Sequence, residues 1–319
     1  MLYVIGTDEA GYGPHLGPLV ISASVWQVED PASAHDLYRA LKKVVCANSE
    51  RANGRRVAMA DSKVLYKPGQ IHDLERGALA ALACVGYQCG PWRELWRFLD
   101  PLSACNSDGL AWHQGYEQSL PLEVDYKKQA RLSAALREGL EHAGVRLVSL
   151  HSRTIFPKEF NDLTESFDNK SETLSRLTLE LLAQVLDRLP AAPVIAYCDK
   201  HGGRNFYSAL LQRQFPDWLV EIYCEGCDES IYRFGPPERR IEVGFRVQSE
   251  RFLPAALASM IAKYLREVLM RPFNDFWCTR IPGLRPTAGY PRDSHRFKRE
   301  IAELQLALGI EDRILWRCR

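Results

Sequence analysis

None of the 319 residues belongs to an unbroken apolar run of the roughly 20 needed to cross a bilayer. The best candidate, Leu253 to Met270, is interrupted by Lys263, Arg266 and Glu267. No basic leader precedes the first apolar segment, so no secretory signal is read and a cytoplasmic protein is expected. Neither sign of charge prevails: 41 Lys and Arg face 40 Asp and Glu. Whole-chain charge therefore gives no reason to expect nucleic acid, a membrane or an acidic partner, and any charge argument must be local. The nine cysteines are odd in number and scattered, which suits free thiols better than a disulfide framework. Cys224 and Cys227 form a Cys-x-x-Cys, but no second pair stands at zinc spacing, and they read as two thiols near a turn. Repeats and low-complexity tracts are absent. With 46% hydrophobic and 25% charged residues, the chain is an ordinary globular sequence, long enough for one large domain or two modest ones.

Leu2 to Thr7 reads as a strand running into Asp8-Glu9-Ala10-Gly11-Tyr12-Gly13-Pro14, and Leu19 to Trp26 as a second strand. Ala34 to Cys46 and Gln70 to Cys84 carry apolar residues at helical spacing, with a polar stretch containing Asp61-Ser62-Lys63 between them. The stretch from about 90 to 125 shows no clear period and is read as an insertion. Val145 to Ile155 predicts a strand, and Ser171 opens a helix whose stripe is Leu174, Leu177, Leu181 and Val185. Val194 to Cys198 is a buried-type strand ending at Asp199. Trp218 to Cys224 is a third such candidate, and Ile231 to Phe234 and Ile241 to Val247 form a hairpin-like pair. From Pro254 onward Ala256, Met260, Tyr264 and Val268 recur every four residues, a long core-facing helix with Glu250 just ahead of it. Strands and helices thus alternate after an initial strand pair, and the expected fold is α/β, a mixed sheet flanked by helices. Residues 1–270 are expected to form the main domain and 271–319 a small C-terminal subdomain, whose 10 Lys/Arg against 6 Asp/Glu make it locally basic.

Four acids stand out by position. Asp8 and Glu9 end the first strand, Asp199 ends the strand after the helix, and Glu250 precedes the last core helix. Ligands collect at the carboxyl ends of strands in open α/β sheets. Carboxylates gathered there repel one another, and divalent metal is the simplest way to keep them ionised. Oxygen ligands without His or Cys select Mg2+ or Mn2+ over zinc. Two such ions about 4 Å apart activate a water and stabilise the leaving oxygen of a phosphodiester. Neighbouring residues of a regular strand face opposite ways, so a bend immediately after Asp8, supplied by Gly11 and Gly13, is expected to swing Glu9 back into one site. Taken singly, each acid reads as surface or as a helix-dipole partner; their joint placement is the signal.

Ile5-Gly6-Thr7-Asp8-Glu9-Ala10-Gly11-Tyr12-Gly13-Pro14, continued by Leu16-Gly17-Pro18-Leu19-Val20, resembles the opening motif of the type 2 ribonucleases H, the ribonuclease HII family. Asp61-Ser62-Lys63-Val64-Leu65 is similar to that family's Asp-Ser-Lys motif. The stretch Ala258-Ser259-Met260-Ile261-Ala262-Lys263 is similar to its Ala-Ser-Ile-Leu-Ala-Lys helix, and Thr287-Ala288-Gly289-Tyr290 to the segment bearing its substrate-contacting tyrosine. The resemblance implies a ribonuclease H-like fold in which Asp8, Glu9 and Asp199 are catalytic acids holding Mg2+ or Mn2+. Glu250 stands in place of a fourth acid that is usually Asp. It implies a metal-dependent endonuclease acting by two metal ions on the RNA strand of RNA–DNA hybrids, or on ribonucleotides embedded in duplex DNA, through recognition of the 2′-hydroxyl.

The family's substrate-reading Gly-Arg-Gly turn is here Gly11-Tyr12-Gly13, which loses a charged reach to phosphate but keeps the main-chain groups. Lys63 is expected at a phosphate. Tyr290 is read either as packing on a deoxyribose or as an ordinary rim aromatic. His201 is read as a loop histidine, with a proton relay as the alternative. Arg204, Arg292, Arg296, Lys298 and Arg299 are candidate phosphate contacts. Two other readings stay open: the same fold and acids acting on a different nucleic-acid structure such as branched or damaged DNA, and a silent nucleic-acid binding module.

Overall fold

Nearly every residue of strand β1 (Leu2–Ala10) is buried, because it lies inside a sheet covered on both faces. The computed structural model describes residues 1–52, 56–67, 69–106, 109–167 and 169–318; parts of the expected 90–125 insertion (107–108) and of the 271–319 unit (319) lie outside the described residues. Strand β1 pairs antiparallel with β2 (Leu19–Val28). A two-residue parallel ladder, β3 (Val45–Cys46) with β4 (Val57–Ala58), stands apart from the main sheet. Strand β5 (Val145–Ile155) runs antiparallel on the outer side of β2. On the other side of β1, β6 (Val194–Asp199) runs parallel. Then come β7 (Glu221–Glu225), β8 (Glu229–Phe234) and β9 (Ile241–Arg246), with β9 parallel to β6 and the other two antiparallel. The sheet order is β5-β2-β1-β6-β9-β8-β7, a mixed seven-stranded sheet flanked by helices as the alternation of elements leads one to expect.

The period of two along the strands sorts their side chains into two cores. Val4, Val20 and Trp26 join a core under the helices His72–Cys84, Trp92–Leu99, Tyr126–His142 and Leu253–Arg280. Ile5, Ile21 and Val25 join another under the helix Lys170–Asp187, whose Leu174, Leu177, Leu181 and Val185 are its contact stripe. A third, smaller core collects Met270, Phe273, Trp277, Phe297, Ile301 and Leu315 with Leu16 and Trp112. The Leu253–Arg280 helix runs unbroken through the expected boundary at 270–271, with Pro272 inside it.

Several expected elements differ. Ala34 to Cys46 is not one helix: a 3-10 turn (Pro31–His35), a single helical turn (Leu37–Ala40) and strand β3 share it, with Asp30 and Asp36 each capping a new start. The stretch from 90 to 125 contains the helices Trp92–Leu99 and Pro101–Asn106. Among the described residues no helix is long and apolar enough to cross a membrane, and all nine cysteines are free thiols.

The element that positions the site is the Leu253–Arg280 helix. A Cβ built on Gly6 would stand 2.0 Å from the carbonyl carbon of Pro254, so only glycine permits this approach. The Ser24 hydroxyl donates to the Pro254 carbonyl at 2.7 Å, and the Trp26 indole donates to the Ser24 oxygen at 2.9 Å. The helix start is thereby bonded to the middle of β2 and seated over β1. Gly6→Ala is expected to push the helix off the sheet and lower unfolding free energy by ~2–3 kcal/mol, read as a denaturant midpoint shift at unchanged slope.

Candidate functional site

The last β1–β6 pair is Thr7 with Cys198, whereas β1 continues against β2 through Ala10. Residues 8 to 10 of β1 therefore extend beyond the parallel pairing, and Asp199 ends the neighbouring strand beside them. The expected bend after Asp8 is absent: the strand stays regular through Glu9 and Ala10, and the chain turns at Gly11, whose φ is +90°. Asp8 faces the Leu253–Arg280 helix and Glu9 the opposite face. Both still feel the Asp199 charge, beyond the last β1–β6 pair. Glu250 arrives from beyond β9 on a 3-10 turn, Ser249–Arg251. Gln248 ahead of it adopts φ 56°, a left-handed conformation that among the described non-glycine residues occurs only here. That reversal folds the turn back onto the sheet end, where the Ser249 amide donates to Asp199 Oδ1 at 3.3 Å.

Every pair among Asp8, Glu9, Asp199 and Glu250 is close enough for mutual repulsion. Burial, then the Glu9 charge, holds the Asp8 carboxyl well above the usual range, opposed by the Ser259 hydroxyl. Burial and the Asp199 charge push Glu9 up to about 7, with Lys63 opposing. Asp199 is raised by burial and restrained by the Ser249 and Lys200 amides; Glu250 is raised by burial and by Asp199. The acids interact through their charges, but among the described residues no three Asp, Glu, His or Cys side chains form a ready-made ligand cluster. The donor set itself, four buried or half-buried carboxylates with raised proton affinity and no imidazole or thiolate, fits a hard divalent cation.

Asp61 caps the short helix Ser62–Leu65, its carboxylate accepting from the Lys63 amide at 3.0 Å. The Ser259 hydroxyl donates to Ser62 Oγ at 3.1 Å, tying that helix to the long one. Lys63 Nζ lies 3.8 Å from Glu250 and 3.9 Å from Asp61, with its side chain 82% exposed. Burial pulls the Lys63 amine down, but Asp61, Glu250, Asp8 and Asp199 outweigh it and hold it above the usual lysine range.

The Gly11-Tyr12-Gly13 turn is held from behind. Arg266, 1% exposed, donates to the carbonyls of Pro18 (3.1 Å), Leu16 (3.2 Å) and Ala288 (3.0 Å). Arg317, equally hidden, donates to the Gly11 carbonyl at 2.5 Å, while its amide donates to the His15 carbonyl. Its remaining Nε and Nη2 are buried without a hydrogen-bond partner among the described residues. Burial and the neighbouring Arg266 push the Arg317 guanidinium down to about 9, still charged at neutral pH. Asn161 clamps this terminal segment, accepting from the Cys318 amide and donating to the Trp316 carbonyl. The amide of His15 donates to Gly289, which brings the Thr287–Tyr290 segment against the same turn, with Tyr290 48% exposed beside Gly13. Tyr12 is half-buried, with Lys170 Nζ 4.6 Å from its ring centroid.

Other expected residues are engaged elsewhere. His201 is buried beside Tyr207 and Phe245, bonded to Ser175, and pushed down to about 3 by burial, which suits packing. Arg204 pairs with Glu172, Arg296 with Asp293 and Glu300, and Lys298 with Asp312. Ser259 and Arg266 lie on the long motif-bearing helix but drew no role from the sequence; Arg317 gave no signal at all, since its bond to Gly11 spans 306 residues.

Replacing Arg317 with alanine removes a charge-assisted bond of ~1.5–3 kcal/mol from the turn. Amide exchange at Tyr12 to Leu16 is expected to accelerate about 10-fold or more while the β1–β6 amides keep their protection. Unchanged exchange at the turn would show that the terminal segment does not hold it.

No protein-family model matches this sequence, and no curated protein sequence matches it. Among solved structures, the chain aligns with that of the PCNA:RNase HII complex from Archaeoglobus fulgidus at 15% identity over 99% of this chain and 94% of the other, TM-score 0.45. It aligns with ribonuclease H2 from Pyrococcus horikoshii OT3 at 16% identity over 98% and 92%, TM-score 0.48. Bst-RNase HIII in complex with Mn2+ aligns at 14% identity over 99% of this chain and 66% of the other, TM-score 0.40. Identities this low say nothing about the roles of individual side chains.

Proposed function

We propose that this chain is a metal-dependent endonuclease of the ribonuclease H type that cuts the RNA strand of RNA–DNA hybrids, or ribonucleotides embedded in duplex DNA. The observation that carries the reading is the meeting of Asp8, Glu9, Asp199 and Glu250 at the carboxyl ends of adjacent parallel strands, each raised in proton affinity by burial, and Asp8, Glu9 and Glu250 also by neighbouring carboxylates. Mutual repulsion of this kind is not a feature that stability selects, and a site that needs divalent cations has a use for it. On this reading the four acids are the ligands, and Mg2+ or Mn2+ supplies Lewis acidity at the phosphate together with an activated water.

The chain's own groups do the rest. Lys63, reaching out past Glu250, meets a substrate phosphate as a mobile point charge. The Gly11-Tyr12-Gly13 backbone, braced by Arg266 and Arg317, presents main-chain groups to the sugar, and Tyr290 offers its exposed ring beside them. On this reading residues 1–270 carry the catalytic acids, and 271–319, joined to them through the Leu253–Arg280 helix, brace the turn through Arg317.

One observation favours a second reading with the same acids and another nucleic-acid structure. Between the two glycines stands an uncharged Tyr12, one face of its ring occupied by Lys170, where the family that the sequence resembles carries arginine. Comparing an all-DNA duplex, a continuous hybrid, a branched duplex and a single-ribonucleotide duplex under Mg2+ and Mn2+ separates the two. Hybrid binding without cutting by any metal would leave a silent binding module.

Asp8→Asn and Asp199→Asn are each expected to abolish cleavage while hybrid binding persists; wild-type rates from either variant would remove the mechanism. A stability measurement needs no substrate. In chelator, Asp8→Asn should be at least as stable as wild type, because one repelled carboxylate is gone. Mn2+ at a hundredfold excess over its Kd should stabilise wild type by about 2.7 kcal/mol and the variant by much less.

A further inference from the structure

Beside Glu250 an open groove of about 790 Å³ runs away from the carboxylates, bounded by the Tyr38–Ala47 stretch, by Ala60–Val64 and by Gln248–Arg251. Its walls carry four cations, Lys42, Arg56, Lys63 and Arg251, against two acids, Asp61 and Glu250. Both acids face Lys63, whereas among the described residues neither Lys42 nor Arg251 forms an ion pair, and both are exposed. The excess positive charge therefore lies at the solvent side of the groove, in a protein whose net charge is only +1. The walls are pre-built. The Tyr38 hydroxyl donates to the Met59 carbonyl at 2.8 Å. The Val57 amide donates to Val44 at 2.8 Å, and the Met59 amide to Cys46 at 2.9 Å, so the small β3–β4 ladder is tied across the groove floor. On the opposite wall, the left-handed Gln248 that delivers Glu250 to the acids also orients Arg251. A residue held at positive φ at such a junction marks a place where position matters more than local strain.

We propose that this groove seats the sugar–phosphate backbone of the nucleic-acid strand as it leaves the carboxylates, with Lys42 and Arg251 contacting phosphates beyond the one that Lys63 meets. The proposal rests on the nuclease reading, since the groove and the acids share Glu250 and Lys63. An enclosed apolar pocket would suit a small molecule; an open channel with cations along its outer edge suits a polyanion, whose affinity comes from displaced counterions. The contacts proposed here are to phosphate, so the binding they contribute is indifferent to sequence.

The test measures binding of a fluorescein-labelled 18-base-pair RNA–DNA hybrid in chelator, from 50 to 300 mM KCl, by anisotropy. In the double variant Lys42→Gln with Arg251→Gln, affinity at 100 mM KCl should fall ~10-fold, and the slope of log K against log salt should drop by about 2, about one per contact removed. Lys127→Gln, on the exposed side of the Tyr126–His142 helix, should leave both unchanged. Circular dichroism melts establish that each variant is folded, and the two single variants, each lowering the slope by about 1, serve if the double does not fold. Wild-type affinity and slope in folded groove variants would overturn the groove while leaving the nuclease reading intact. A wild type that neither binds the hybrid nor cuts it under Mg2+ or Mn2+ would overturn both.

Discussion

The carboxyl end of this sheet depends on how closely one helix can approach one strand. Gly6 sets that distance, since any side chain there would occupy the Pro254 carbonyl. The approach lets the helix run over β1 in the direction of Asp8, so that Ser259, about one and a half turns in from Pro254, arrives at once beside the Asp8 carboxyl and the Ser62 hydroxyl. The 61–65 segment is thereby fastened to the same place, and Lys63 with it. A helix start displaced by even a methyl group would separate three chain segments that otherwise meet. Packing and electrostatics act in opposite senses here. The apolar faces of β1 and the helix draw the elements together, and the acids at their ends repel.

The elements that position the acids were legible because they obey simple periods. Strands β1 and β6 open on short apolar runs, β2 is mostly apolar, β5 carries apolar residues among polar ones, and the long helix repeats an apolar residue every four positions from Ala256 to Val268. Where reading failed, the signal was present but short or interrupted. Trp92, Leu95, Trp96 and Leu99 have helical spacing and are all buried, yet eight residues between Pro91 and Asp100 look like loop punctuation. In Tyr126–His142, Leu132, Leu136 and Leu140 form the buried stripe behind an Asp125 cap, among so many charges that the stripe is thin. From Ala34 to Cys46 the opposite error arose: apolar spacing suggested one helix, but Asp30 and Asp36 cap two separate turns, and the chain enters a strand at Val45. Periodicity reports which face is apolar and is silent on where hydrogen bonding restarts.

Charge was legible only in part, since a residue's partners are tertiary facts. Glu75 shows this most clearly. Fully buried in the first turn of His72–Cys84, it accepts from the amides of Leu122, Glu123 and Val124 and from the Tyr264 hydroxyl, fastening the 90–125 stretch to the core. In the sequence it is one more helix glutamate. The basic C-terminal stretch is legible only in part, because some of its cations are engaged: Arg296 and Lys298 are paired and Arg317 is interior, while Arg292 and Arg299 are exposed. Exposed cations also stand at the other side of the site, on the groove past Glu250, where the sequence is locally unexceptional.

The turn at Gly11 brings these threads together. An uncharged Tyr12 stands between its glycines, but two guanidiniums still serve it, reached through the interior from the long helix and from the end of the chain. The Gly11 carbonyl points inward to Arg317. A trans peptide sets its N–H opposite to its C=O, so the Tyr12 amide points away from the arginine and toward the open side of the turn. The buried charge also polarises that peptide, which makes the outward N–H a better donor. On the reading proposed here, a sugar hydroxyl would be addressed by a backbone donor whose direction and strength are set from behind. That requires no charged side chain on the turn itself. Glycine at 11 is then necessary twice over: the turn needs φ near +90°, and a Cβ would stand 2.5 Å from the Arg266 side chain that holds the adjoining loop in place.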